Sequence, residues 1–159
     1  MSLDRDIAML SRIPLFTELT TEQLRLLAFS AVRLELQPGQ VLFRENAVAQ
    51  SGYIVVFGGI ELSVGDGTGK RVITTCEAGS LIGEIALFVE TTRPATATAI
   101  VSSEVLEIDR KLVRRMLNEY PHVALRLRAT LAERLQATVA ELTKVRDQLE
   151  NVGKVSPGR

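Results

Sequence analysis

Residues 79–99 read GSLIGEIALFVETTRPATATA. A Gly-Glu pair at 83–84 opens an apolar run, Arg93 follows nine residues after Glu84, and Pro94 comes directly behind it. The helix formers after Gly83 can make one short turn of helix, whose N-terminus presents free N–H groups to an anion. Arg93 can meet the same anion through a charge-assisted, bidentate contact. Glu84 repels an anion, but its carboxylate accepts from hydroxyls such as those of a ribose. One acceptor, one guanidinium and a nest of amides together suit a sugar phosphate. An internal Glu84–Arg93 ion pair closing a turn is the alternative, and the residues alone leave both open.

Outward from this stretch the pattern is that of short strands. The hydrophobic period changes from about 3.6 to 2 at Val32. VRLELQPGQVLFREN reads as strand, Pro38-Gly39 turn, strand; GYIVVFGGIELSV as two strands joined in a hairpin at Gly58-Gly59; RVITTCE, ATATAI and EVLEI as three more. Many short strands with Gly-rich turns predict a small barrel or sandwich, which pattern alone does not separate. Helices flank this region. DIAMLSRIPLF places Ile7, Leu10 and Ile13 on one helical face, and Pro14 ends that segment. Thr20 with Gln23 forms a capping box ahead of Leu24, Leu27 and Ala28. RKLVRRMLNEY is a short helix stopped near Pro121. Beyond it, about thirty residues without Gly or Pro carry a heptad seam through Ala124, Arg128, Leu131, Leu135, Thr138, Leu142, Val145 and Leu149. That seam predicts a partner helix.

Composition narrows the function. The chain has 159 residues, 46% hydrophobic and 24% charged, which is ordinary for a globular domain with a real core. Nineteen basic residues balance nineteen acidic ones, an unusual balance for a nucleic-acid binder. One cysteine, Cys76, and one histidine, His122, provide neither an internal disulfide nor a zinc site. Cys76 reads as core and His122 as a surface residue. GDGTGKR does not fit the phosphate-loop spacing and reads as a hairpin turn. No nucleophile–base constellation predicts an enzyme. The start MSLDRDIAML has no basic and apolar leader pattern, and no apolar stretch approaches the roughly 20 residues of a membrane span, so we expect a cytoplasmic protein.

Gly83-Glu84-Ile85-Ala86-Leu87, then Arg93, Ala95 and Thr96, resemble the phosphate-binding cassette of the cyclic nucleotide-binding domain family, whose members include the catabolite activator protein and the regulatory subunits of protein kinase A. The resemblance extends from about Ile13 to Leu149 and implies a mainly β fold: a β-barrel or jelly roll with N-terminal helices and a long C-terminal helix. The expected organisation is a binding domain over 1–118, a dimerisation helix over 119–150 and a disordered tail over 151–159. By resemblance, Glu84 accepts from the ribose 2′-hydroxyl. Arg93 neutralises the cyclic phosphate, with backbone N–H groups of Gly83 and Ala86 nearby. Ile85, Pro94 and Ala95 complete the cassette, and Thr138 reaches the adenine amino group from the long helix. A register-setting polar residue in a coiled coil is the other reading of Thr138.

Two positions depart from the family. Val139 stands where the activator has a serine. Pro94 stands where the family has Ser, Thr or Ala, and removes an N–H and a hydroxyl from the phosphate's surroundings. One lost neutral hydrogen bond, about 0.5–1.5 kcal/mol, or an unpaired anion oxygen, about 1–3 kcal/mol, weakens binding by roughly ten- to a hundredfold. About ten residues follow Leu149, too few for a helix-turn-helix, so direct DNA binding is not expected, although a chain that had lost a downstream domain reads the same. The expected function is a stand-alone sensor of cAMP or cGMP without other cofactor or metal. It would be homodimeric through the long helix and would signal to a protein partner. The alternative is an interaction module that keeps the fold and has lost its ligand.

Overall fold

The computed structural model of the chain describes residues 3–122 together with 125, 126, 128, 129, 132 and 133. Two helices open it: α1 (Leu3–Ser11) and α2 (Thr21–Ser30), with a 3-10 turn at Pro14–Phe16 between them. Thr20 caps α2 as its sequence predicts. Its hydroxyl accepts from the Gln23 N–H at 3.2 Å, and the Gln23 side chain accepts from the Thr20 N–H at 2.9 Å. Ten strands follow among the described residues: β1 (Val32–Leu36), β2 (Val41–Phe43), β3 (Val48–Ala49), β4 (Ser51–Phe57), β5 (Gly59–Val64), β6 (Arg71–Glu77), β7 (Leu81–Ile82), β8 (Thr91–Thr92), β9 (Thr96–Ala99) and β10 (Ser103–Asp109). Helix α3 (Arg110–Glu119) closes the series, with the Asp109 side chain accepting from the Lys111 N–H at 2.7 Å. No helix among the described residues is long and apolar enough to cross a membrane.

The strands form two four-stranded antiparallel sheets, in the orders β1-β10-β4-β7 and β2-β9-β5-β6, and a small ladder of β3 with β8. The result is a jelly-roll-like fold of two layers. The period-2 pattern explains how the first sheet serves two cores at once. Tyr53, Val55 and Val105 point between the sheets, where they meet Ile60, Ala97 and Ala99 of the second. Their neighbours Ile54, Leu106 and Ile108 point the other way, into a cluster with Leu10, Phe16, Leu27, Val113 and Met116 from the helices. Cys76 is half-buried against the inter-sheet cluster, and burial pushes its thiol pKa up. His122 is exposed, with its ring edge-on to Tyr120.

Gly58-Gly59 is not a hairpin. β4 pairs with β10 and β7, whereas β5 pairs with β6 and β9, so the chain crosses from one sheet to the other at Gly58. The reason is close approach. Gly58 has φ +95°, and a Cβ there would lie 2.1 Å from the Ser103 hydroxyl oxygen. That hydroxyl accepts from the Gly59 N–H at 3.1 Å and donates to the Val101 carbonyl at 2.8 Å. The hairpin lies instead at GDGTGK, between β5 and β6. Gly58→Ala should therefore destabilise the protein by about 2 kcal/mol or more, through left-handed strain plus displacement of Ser103. A denaturant midpoint unchanged from wild type would refute this account.

Most of the predicted 119–150 helix, Thr138, Val139 and the 151–159 tail lie outside the described residues. Of the heptad seam only Arg128 is described, and it is exposed.

Candidate functional site

The 79–99 stretch folds as strand, turn, strand. After β7, Gly83 takes a left-handed conformation (φ +77°) and starts a single 3-10 turn over Glu84–Leu87. Ala86 and Leu87 anchor the turn, each 1% exposed, while Ile85 stays exposed. β8 then pairs with β3, and Arg93 stands immediately after it. Its backbone is held on both sides: the Arg93 N–H donates to the Ala47 carbonyl and its own carbonyl accepts from the Asn46 N–H, both at 2.8 Å. Asn46 has a left-handed φ of +71°, which swings the β2–β3 connection onto Arg93.

A cavity of about 310 Å³ opens between the turn and this ladder. Gly83, Glu84, Ile85, Ala86, Arg93 and Pro94 line it, together with Ala49, Thr91 and Thr92. Six of the eight predicted site residues thus share one cavity. Ala95 is buried beside it without lining it, and Thr138 lies outside the described residues. Ala49, Thr91 and Thr92 were not anticipated, because small and polar residues in short strands carry no chemical signature of their own. The volume falls at the low end of the range for small-molecule sites.

Arg93 dominates the electrostatics. It is 4% exposed, yet its Nε and Nη1 have no hydrogen-bond partner among the described residues. Its Cζ lies 4.3 Å from the centroid of the Phe43 ring and 5.4 Å from that of Tyr53. Burial pulls the Arg93 pKa down, and Tyr53 and Glu107 oppose that. An arginine remains a cation under such opposition. The Tyr53 hydroxyl donates to Glu107 Oε2 at 3.0 Å, where Ser51 also donates at 2.7 Å. Burial, first, and then the Glu107 charge raise the Tyr53 pKa. The site therefore holds one permanent positive charge, desolvated and short of acceptors.

The Ala86 N–H already donates to the Gly83 carbonyl at 3.2 Å. The Thr96 hydroxyl accepts from the Glu45 N–H at 2.9 Å, on the side away from the cavity. Pro94 offers no N–H. Gly83 is constrained from both directions. Its φ is left-handed, and a Cβ there would lie 2.6 Å from Arg93 Nη1. Gly83→Ala should lower stability by about 1–2 kcal/mol from backbone strain alone. It should also force the guanidinium to move. A thermal transition equal to wild type would show that Gly83 is not held left-handed.

Residues 33–120 match the family model described as cyclic nucleotide-binding domain. The chain belongs to the cyclic nucleotide-binding domain family. It is 44% identical to a cyclic nucleotide-binding-like protein from Brucella abortus, over 71% of this chain and 97% of that one, with a TM-score of 0.66. It is 30% identical to the catabolite activator protein of Thermus thermophilus, over 84% of this chain and 63% of that one, with a TM-score of 0.70. Among curated proteins it is 28% identical to the lysophospholipase nte1 of Neurospora crassa over 87% of this chain. It spans only 9% of that enzyme's length, so the likeness is to one domain of a larger protein.

Proposed function

We propose that this domain binds a cyclic nucleotide, cAMP or cGMP, in the 310 Å³ cavity and acts as a regulatory module with no chemistry of its own. The observation that carries the reading is Arg93. A buried cation with two nitrogens lacking acceptors, facing a cavity, is built to receive an anion. Arg93 takes the cyclic phosphate and Glu84 the ribose 2′-hydroxyl. The Gly83–Ala86 turn and Pro94–Ala95 form the wall, and Thr138 reaches the adenine. Family membership supports the same assignment.

With Pro94 silent and the Ala86 N–H engaged, Arg93 carries nearly all of the phosphate recognition, so affinity is modest. Occupancy is passed to the helices, and the chain pairs with a second copy through the 119–150 helix in the cytoplasm, where a protein partner reads the change. A ligand drives such a change only by favouring one arrangement over the other. The test is a calorimetric titration with cAMP and then cGMP, with light scattering alongside. Micromolar binding with a dimer mass is the expected result. A monomer mass would remove the dimer. No heat and no thermal shift at millimolar ligand would favour the second reading, an interaction module that keeps the fold without the ligand, for which the missing phosphate contacts at Pro94 are the motive.

A further inference from the structure

The Arg93 guanidinium is enclosed by groups from three directions. Phe43 comes from β2 in one sheet and Tyr53 from β4 in the other, with the two ring centroids 5.7 Å apart and the planes 30° from parallel. The Cζ lies within cation–π range of both. Gly83 closes the third side, since no side chain could stand between it and Nη1. The Tyr53 ring is itself fixed, because its hydroxyl is tied to Glu107 on β10.

The two rings do something a neutralising carboxylate could not. A carboxylate paired with Arg93 would occupy its N–H groups and would have to be displaced by the incoming anion. A ring face attracts the cation through its quadrupole and takes up no N–H. The charge is held in place, two of its partners are ring faces, and its Nε and Nη1 keep their donor capacity. We infer that Phe43 and Tyr53 are positioning residues for nucleotide binding: one ring from each sheet holds the guanidinium ready for a phosphate without consuming the donors the phosphate will use. The inference rests on the cyclic nucleotide reading of the cavity. It predicts that affinity depends on an aromatic face at position 43, not on apolar volume, and that the Tyr53 hydroxyl matters less than its ring.

The experiment is a calorimetric titration of cAMP into wild type, Phe43→Leu, Phe43→Tyr and Tyr53→Phe, with proton–nitrogen NMR of the Arg93 Nε–H in each ligand-free protein. Phe43→Leu should weaken binding by about three- to thirtyfold, the effect of losing one buried cation–π contact. It should also move the Arg93 Nε–H resonance away from its ring-shifted position. Phe43→Tyr should restore both, and Tyr53→Phe should change affinity by less than about threefold. Equal affinity in Phe43→Leu and wild type, with the wild type binding normally, overturns the positioning role alone. Weakening by Phe43→Leu that Phe43→Tyr fails to rescue also overturns it, because packing would then be the cause. Wild-type protein that binds neither cAMP nor cGMP overturns the nucleotide reading and this inference with it. Should Phe43→Leu fail to fold, Tyr53→Leu against Tyr53→Phe makes the same comparison from the other sheet.

Discussion

Arg93→Met is expected to abolish nucleotide binding and, at the same time, to raise the melting temperature of the ligand-free protein. The two effects share a cause. Arg93 is 4% exposed with two nitrogens unsatisfied among the described residues, so its burial is only partly compensated by the rings of Phe43 and Tyr53. An unsatisfied buried donor costs about 1–3 kcal/mol, more when charged. The lost cation–π contacts return about 0.5–2 kcal/mol of that. Methionine fills a similar length with no donor and packs against aromatic faces. The net gain is on the order of 1 kcal/mol, or about 2–4 °C for a domain of this size. Against that, losing two charge-assisted hydrogen bonds of about 1.5–3 kcal/mol each weakens ligand binding by at least about a hundredfold. Thermal unfolding with and without cAMP reads both. A variant less stable than wild type would mean that Arg93 is structurally satisfied, and the site would lose its main argument.

Arg33→Met should have the largest effect on folding. Arg33 on β1 bridges two carboxylates. Its Nη2 meets Asp6 Oδ2 of α1 at 2.6 Å, and its Nη1 meets Glu104 Oε2 of β10. The Asp6 and Glu104 side chains are 10% and 7% exposed, while that of Arg33 is 25% exposed. Those two carboxylates account for the raised Arg33 pKa, outweighing the burial that would lower it. Removing the cation leaves two nearly buried like charges facing each other. Breaking a buried pair in this way destabilises by about 3–5 kcal/mol, and at about 2–4 °C per kcal/mol the melting temperature should fall by about 10 °C. Adding Asp6→Asn and Glu104→Gln to the same chain should recover most of the loss, because the uncompensated charge is the cause. If the triple variant stays as unstable as the single one, Arg33 contributes by packing its stem and not by its charge.

These two arginines show what a sequence discloses and what it hides. Arg93 was legible because Gly83 and Glu84, which line the same cavity, lie close along the chain and in a fixed order. Arg33 was not, because Asp6 and Glu104 are 27 and 71 residues away. Local devices were legible for the same reason: the Thr20–Gln23 box spans three residues, and the 65–70 turn joins strands that pair with each other. Gly58-Gly59 was misread because two glycines between apolar runs look alike whether the strands pair or part. The deciding contact is with Ser103, which no short window contains. Phe43 and Tyr53 were hidden differently. An aromatic residue in a strand is the ordinary signature of core, and only the guanidinium lying against both rings gives them a second reading.

Adjacent residues of the 84–87 turn belong to different compartments. Ala86 lines the cavity, whereas Leu87 is buried among Phe16, Val113 and Met116 on the far side of the first sheet. The turn also lies flat on β4, where a Cβ at Gly52 would come within 3.2 Å of Leu87 and 3.3 Å of the Gly83 carbonyl. An interior packed this closely has no slack. The cavity wall and the floor on which α3 rests are therefore one closely packed unit, in which Leu87 touches both the turn's side of β4 and the helical core.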